Sequence, residues 1–139
     1  MIKNRNLDPR ENKKNIEIEL TAWAANAISF AWENPEKSPI AVTRALLLIS
    51  TAGGTATSVM DVGATTSATW TDDAIFDWVD INTATLYDNL GGALYDTYTE
   101  ARSVYLDANW GTTSWITGKI LTEKADDLVW KIYLEYKVL

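Results

Sequence analysis

Three observations on this 139-residue chain predict an all-β fold, a sandwich or jelly-roll-like barrel with an extended N-terminal arm. Short apolar runs recur along the chain with turn-forming residues between them. Several of these runs alternate apolar and polar residues, the period-two signature of a half-buried strand. No stretch sustains the spacing of an amphipathic helix, so packing sheet against sheet is the available way to bury a core.

Met1 to Lys14 is polar, rich in Asn, Lys and Arg, and reads as an extended basic arm; residues 15–139 then form a single β domain. From Asn15 onward, Ile16, Ile18 and Leu20 alternate with Glu17, Glu19 and Thr21, a strand with one face in water. Ala27 to Trp32 is a second short strand, and the two prolines of the Asn34 to Pro39 segment make a loop. Ile40 to Ser50 fits helix or strand by periodicity, but its flanks, Pro39 and the Gly53-Gly54 turn, favour a central strand. Thr57 to Val62 is expected to pair back on it as a hairpin.

Ala64 to Asp73 is small and polar and reads as a surface loop with room for one short edge strand. Asp73 to Leu90 fits a short helix or two short strands equally well. After the Gly91-Gly92 turn, Ala93 to Ala101 alternates, Val104 and Leu106 continue the pattern, and Asn109 to Thr113 forms a turn. Ser114 to Leu121 and Leu128 to Leu139 complete the strands, with Thr122 placed to cap one helical turn over Glu123 to Asp127. In the last strand Trp130, Ile132, Leu134, Tyr136 and Val138 form an apolar face opposite Val129, Lys131, Tyr133, Glu135 and Lys137. The order in which these strands connect is not specified by the string.

Composition narrows the chemistry. The chain has no Cys, which removes disulfides, thiolate nucleophiles and the common structural zinc sites. It has no His, which removes the usual neutral-pH general base and the imidazole ligand. An enzyme would have to run on carboxylates, Lys or Tyr, and the balance points to binding or structure. The net charge of −7 argues against a nucleic-acid partner, since phosphate recognition needs clustered Lys and Arg. The charge is unevenly placed: residues 1–14 carry about +3, leaving roughly −10 on the rest. No apolar run reaches the ~18 residues of a membrane span, and no signal-peptide core is present, so synthesis in the cytoplasm without membrane association is expected.

Three groups of residues are candidates for a site. Asp72, Asp73, Asp77 and Asp80, with Asn82, Asp88 and Asn89, form an oxygen-rich segment of the kind that can bind calcium, although the spacing does not match an EF-hand; solvated loop charge is the simpler reading and no other cofactor is expected. Of the seven Trp, Trp70, Trp78 and Trp110 sit in polar, loop-like surroundings that suit a protein interface or stacking on sugar rings, with protein contact favoured. Trp23, Trp32, Trp115 and Trp130 are assigned to the core. Finally, Lys3, Arg5, Arg10, Lys13 and Lys14 equip the arm to contact an acidic neighbouring subunit, which would favour a cyclic homo-oligomer.

One pattern extends beyond these elements. Asp61-Val62-Gly63 with the small run Ala64 to Thr69, then Asp80-Ile81-Asn82-Thr83-Ala84-Thr85 with Tyr87-Asp88-Asn89, and a closing Tyr133-Leu134-Glu135-Tyr136, resembles small β-structured virion proteins of tailed bacteriophages, some of them capsid decoration proteins. The resemblance spans roughly Ile40 to Leu139 and departs from the pattern near Trp78, where a Gly is expected. It implies a non-enzymatic homotrimer on the capsid surface whose partner is the major capsid protein. The alternative is a carbohydrate- or receptor-binding β-sandwich module of a virion.

Overall fold

The computed structural model describes residues 13–19, 26–54, 58–89, 104–121 and 128–139. These form nine strands: β1 (Lys13–Glu19), β2 (Ile28–Glu33), β3 (Ile40–Thr51), β4 (Val59–Thr65), β5 (Phe76–Asp80), β6 (Thr85–Asp88), β7 (Val104–Leu106), β8 (Trp115–Leu121) and β9 (Val129–Val138). One antiparallel sheet has the order β1-β9-β3-β6, with β7 also paired to β3; the other has the order β2-β8-β4-β5. With β7 set aside as an insertion, this is the interleaved double Greek key of a jelly roll.

This connectivity revises one expected pairing. β4 does not fold back on β3; it crosses to the second sheet and lies between β8 and β5. Asp73 to Leu90 resolves into two strands, and they too separate, β5 onto β4 and β6 onto β3. The first strand starts at Lys13, so Lys13 and Lys14 are paired with Lys137 and Tyr136 and do not belong to a free arm. Residues 1–12, Trp23, the 93–101 segment and the 123–127 turn lie outside the described residues.

The core lies between the sheets. Trp130, Ile132, Leu134 and Tyr136 of β9 face inward, as their alternation predicts. β3 is less regular. Ile40 and Val42 point inward, a bulge between Val42 and Arg44 shifts the register, and Ala45, Leu47 and Ile49 take over the inward positions. Across the sandwich, Phe30 meets Trp130 edge-on with ring centroids 5.7 Å apart. Gly118 lies under the Phe30 ring, and any side chain there would strike it. Trp32 packs against the core margin and lies 5.5 Å from Tyr136. Trp115 corrects the sequence reading. It alternates with the inward Ile116 and Ile120, so it falls on the outer face, half-buried and outside the core.

Candidate interaction surface

Among the described residues Trp110 is the most exposed of the large apolar side chains, 92% accessible, and the loop carrying it is tightly held. The Gly111 N–H donates to the Ala108 carbonyl at 2.7 Å, closing a turn over residues 108–111. Trp110 is the third residue of that turn and has φ = 74°. Positive φ at this position normally selects Gly or Asn. Gly111 must be glycine, because a Cβ there would lie 2.9 Å from the Ala108 oxygen.

Both sides of the loop are anchored. The Asp107 N–H donates to the Thr113 carbonyl, and the Asp107 carboxylate accepts from the Thr113 N–H, each at 2.8 Å. The Asn109 amide donates to the Asn34 carbonyl at 2.8 Å and to Glu33 Oε1 at 3.2 Å, while its backbone N–H reaches the Glu36 carbonyl. The buried Asn34 donates in turn to the carbonyls of Asp107 and Ser38 and accepts from the Glu36 N–H. Two segments distant in sequence, 33–38 and 107–113, thus share one polar network beneath an exposed indole.

Glu36 joins this end of the sandwich to β1 and β9. Its carboxylate accepts from Lys14 at 2.6 Å and from the Tyr136 hydroxyl at 3.1 Å. The Lys14 bond holds the Glu36 carboxyl below its ordinary range. Burial, reinforced by the Glu36 contact, pushes Tyr136 up to about 12.

Trp70 and Trp78 occupy the outer side of the four-stranded sheet. The loop carrying Trp70 lies over this sheet: the Thr117 hydroxyl donates to the Trp70 carbonyl at 2.7 Å, and Asp72 presses so closely on Gly63 that no Cβ fits. Trp78 is not in a loop. It lies in β5 at a bulge, where Asp77 and Trp78 together oppose Asp61, and its φ is 55°. The Trp78 N–H, removed from the ladder, donates to Asp61 Oδ1 at 2.9 Å. A Gly would suit this backbone better than Trp. Trp70 and Trp78 therefore share one sheet face, and Trp110 precedes β8 of the same sheet, at most ~25 Å of chain from Thr117.

The acidic residues do not gather into an ion site. Among the described residues no group of three or more acidic side chains is arranged to hold a metal. Asp72 accepts from the Ala74 N–H, and Asp80 accepts from the Asn82 N–H and the Thr83 hydroxyl, so these carboxylates close local turns. Asp88 pairs with Arg44 at 2.6 Å, and Asn89 accepts from the Ala45 N–H. Asp61, which sequence reasoning did not place among the candidate site residues, has a shifted carboxyl: burial raises it, and the charges of Asp73 and Asp72 add to the rise. Lys13 and Lys14 turn to their own chain, pairing with Glu135 at 3.7 Å and Glu36 at 2.6 Å. Lys3, Arg5 and Arg10 lie outside the described residues.

No family model and no curated protein matches the sequence. In three dimensions the chain is similar to a chain of the capsid of Ralstonia phage GP4, with a TM-score of 0.56 and 10% identity over 92% of this chain and 85% of that one. It is also similar to a chain of the Cyanophage Pam1 capsid asymmetric unit, with a TM-score of 0.52 and 13% identity over 91% and 84%. At such identities the shared property is the fold, a two-sheet β architecture matched over nearly the full length of chains of comparable size.

Proposed function

We propose that the protein is a non-enzymatic structural component of a bacteriophage virion, a homotrimeric decoration protein that binds the major capsid protein on the outer surface of the assembled head and stabilises it. The observation that carries this reading is the near full-length likeness to two phage capsid chains. Supporting it, the chain has no His or Cys for common catalysis, and it presents Trp70, Trp78 and Trp110 outward on an ordered scaffold. A protein that binds the assembled shell and not its free subunits shifts the equilibrium toward the shell, and a rigid β body with aromatic anchors suffices for that.

Titrating purified protein onto capsids that lack it tests the reading. Saturable co-sedimentation at a fixed ratio to capsid subunits, with a raised temperature of capsid disruption, is the expected result. No co-sedimentation at micromolar protein, together with tryptophan quenching by glycans, would overturn it in favour of the carbohydrate-binding module.

A further inference from the structure

The outer face of the β1-β9-β3-β6 sheet differs electrostatically from the rest of the molecule. β1 and β9 present Lys13, Glu17 and Glu19 beside Lys131, Glu135 and Lys137 in register. β3 and β6 add Arg44 and Asp88, joined at 2.6 Å. These side chains number four cations and four anions, so the face is neutral while the chain as a whole carries −7. Most of the charge is also paired within the face: Lys131 lies 2.6 Å from Glu17 and 3.6 Å from Glu19, and Lys13 lies 3.7 Å from Glu135.

Between these pairs runs an apolar strip. Leu46 is opposite Tyr133, and Leu48 lies between Lys131 and the half-exposed Leu86. Val129 at one end and Tyr105 at the other are 52% and 55% exposed. Beside Leu46 and Tyr133 the surface dips into a depression of about 390 Å³ rimmed by Asn15, Glu17, Arg44 and Glu135.

We propose that this face is the self-association surface, occupied by a second copy of the same chain. The charge balance selects that occupant. Two copies at −7 repel, and contact through the acidic Asp61, Asp72 and Asp73 side would bring like charges together. The neutral face can approach a neighbouring subunit without that penalty, and most of its carboxylates and cations already hold partners within the face. Its size is adequate. Strands of 7, 10, 12 and 4 residues, at ~3.3 Å by ~4.8 Å per residue, cover roughly 500 Å², a large part of the ~800 Å² per partner of a standard interface. The inference rests on the homo-oligomer of the proposed function but not on capsid binding, and it turns the Trp-bearing side away from the subunit contact.

Sedimentation equilibrium of the full chain, without capsids, tests it. The wild type should sediment at a multiple of 15.5 kDa, and the double variant Leu86→Glu, Val129→Glu should fall to 15.5 kDa with an unchanged far-UV spectrum. Association should hold or tighten as salt rises from 50 to 500 mM, since salt screens the repulsion between acidic bodies. A monomeric wild type at 100 µM, a double variant that keeps the wild-type mass, or a tenfold loss of association with salt would each overturn the proposal. If the double variant does not fold, the wild-type mass and the salt series still decide it. Capsid co-sedimentation is scored separately, so failure there leaves this result standing.

Discussion

Replacing Trp110 by glycine should leave the fold about as stable while removing a binding anchor. An indole offers up to ~250 Å² for burial, so a side chain 92% exposed hides only ~20 Å², worth about 0.5 kcal/mol. Against this, a left-handed backbone costs a residue with a Cβ about 1–2 kcal/mol, which glycine recovers. Glycine gives back ~0.5–1 kcal/mol through the greater freedom of the unfolded chain. The sum lies between about −0.5 and +1 kcal/mol. Trp110→Ala keeps the strained backbone and loses the small contact, so it should be less stable than Trp110→Gly by up to ~1.5 kcal/mol. Urea unfolding followed by far-UV circular dichroism measures all three proteins without relying on the deleted fluorophore. A loss above ~2 kcal/mol for Trp110→Gly would refute the reasoning, since it would mean the ring supports the fold. In the same variant, capsid affinity should fall about thirtyfold, the ~2 kcal/mol of a central aromatic hot spot.

Other substitutions test the neighbouring chemistry. Tyr136→Phe should cost about 1 kcal/mol at neutral pH by removing the hydrogen bond to Glu36. It should also flatten the alkaline limb: the folded protein holds the Tyr136 proton to about 12 against 10.0 unfolded, so wild-type stability falls as pH rises through that window, by roughly 2–3 kcal/mol. Asp61→Asn should raise stability at pH 7. The folded state binds the Asp61 proton more tightly than the unfolded state does, so the wild type loses stability as pH rises above 3.8, and an amide removes that slope while still accepting from Trp78; a variant with unchanged pH dependence would contradict this. Gly63→Ala should destabilise by ~1–3 kcal/mol, because its Cβ would sit 2.6 Å from the Asp72 carbonyl carbon and lift the Trp70 loop; an unchanged melting midpoint would show that the loop does not lie so close.

How much of this was legible in the sequence depended on how local the information is. The inward face of β9 could be read directly, because no bulge interrupts Trp130, Ile132, Leu134 and Tyr136. β3 resisted a periodic reading because its bulge moves the inward set from even to odd positions, leaving an almost unbroken apolar run with Leu46 and Leu48 on the outer face. The partners of β4 were not legible at all. A strand next in sequence and flanked by a Gly-Gly turn suggests a hairpin, whereas the jelly roll sends alternate strands to opposite sheets and sets their neighbours through contacts distant in sequence. The polar surroundings of Trp70, Trp78 and Trp110 marked them as candidate contacts, and all three prove exposed, but the bulge under Trp78 was not legible, since neither Asp77 nor Trp78 is a glycine. Lys13 and Lys14 looked like arm residues because an exposed edge strand carries no apolar alternation to mark its start.

Among the described residues three non-glycine positions have positive φ, and two of them, Trp78 and Trp110, carry exposed indoles. Only Asn26 is of a type that readily tolerates that conformation. Strain of this kind persists only where the surroundings over-determine the backbone. At Trp110 the determinant is Asn109, whose amide holds the turn to Asn34 and Glu33. A rigid loop presents the ring without an ordering cost on contact, whereas a loosened one loses about 0.5–1.5 kcal/mol to immobilisation. Asn109→Ala should therefore weaken capsid binding two- to tenfold although Trp110 itself is untouched, and should lower global stability by only ~1–2 kcal/mol. Hydrogen exchange should show faster amide exchange at Gly111 and Thr113, with β8 and β9 unaffected. Wild-type affinity alongside faster exchange in the loop would mean that the network serves the fold alone, and that the indole binds equally well from a loose tether.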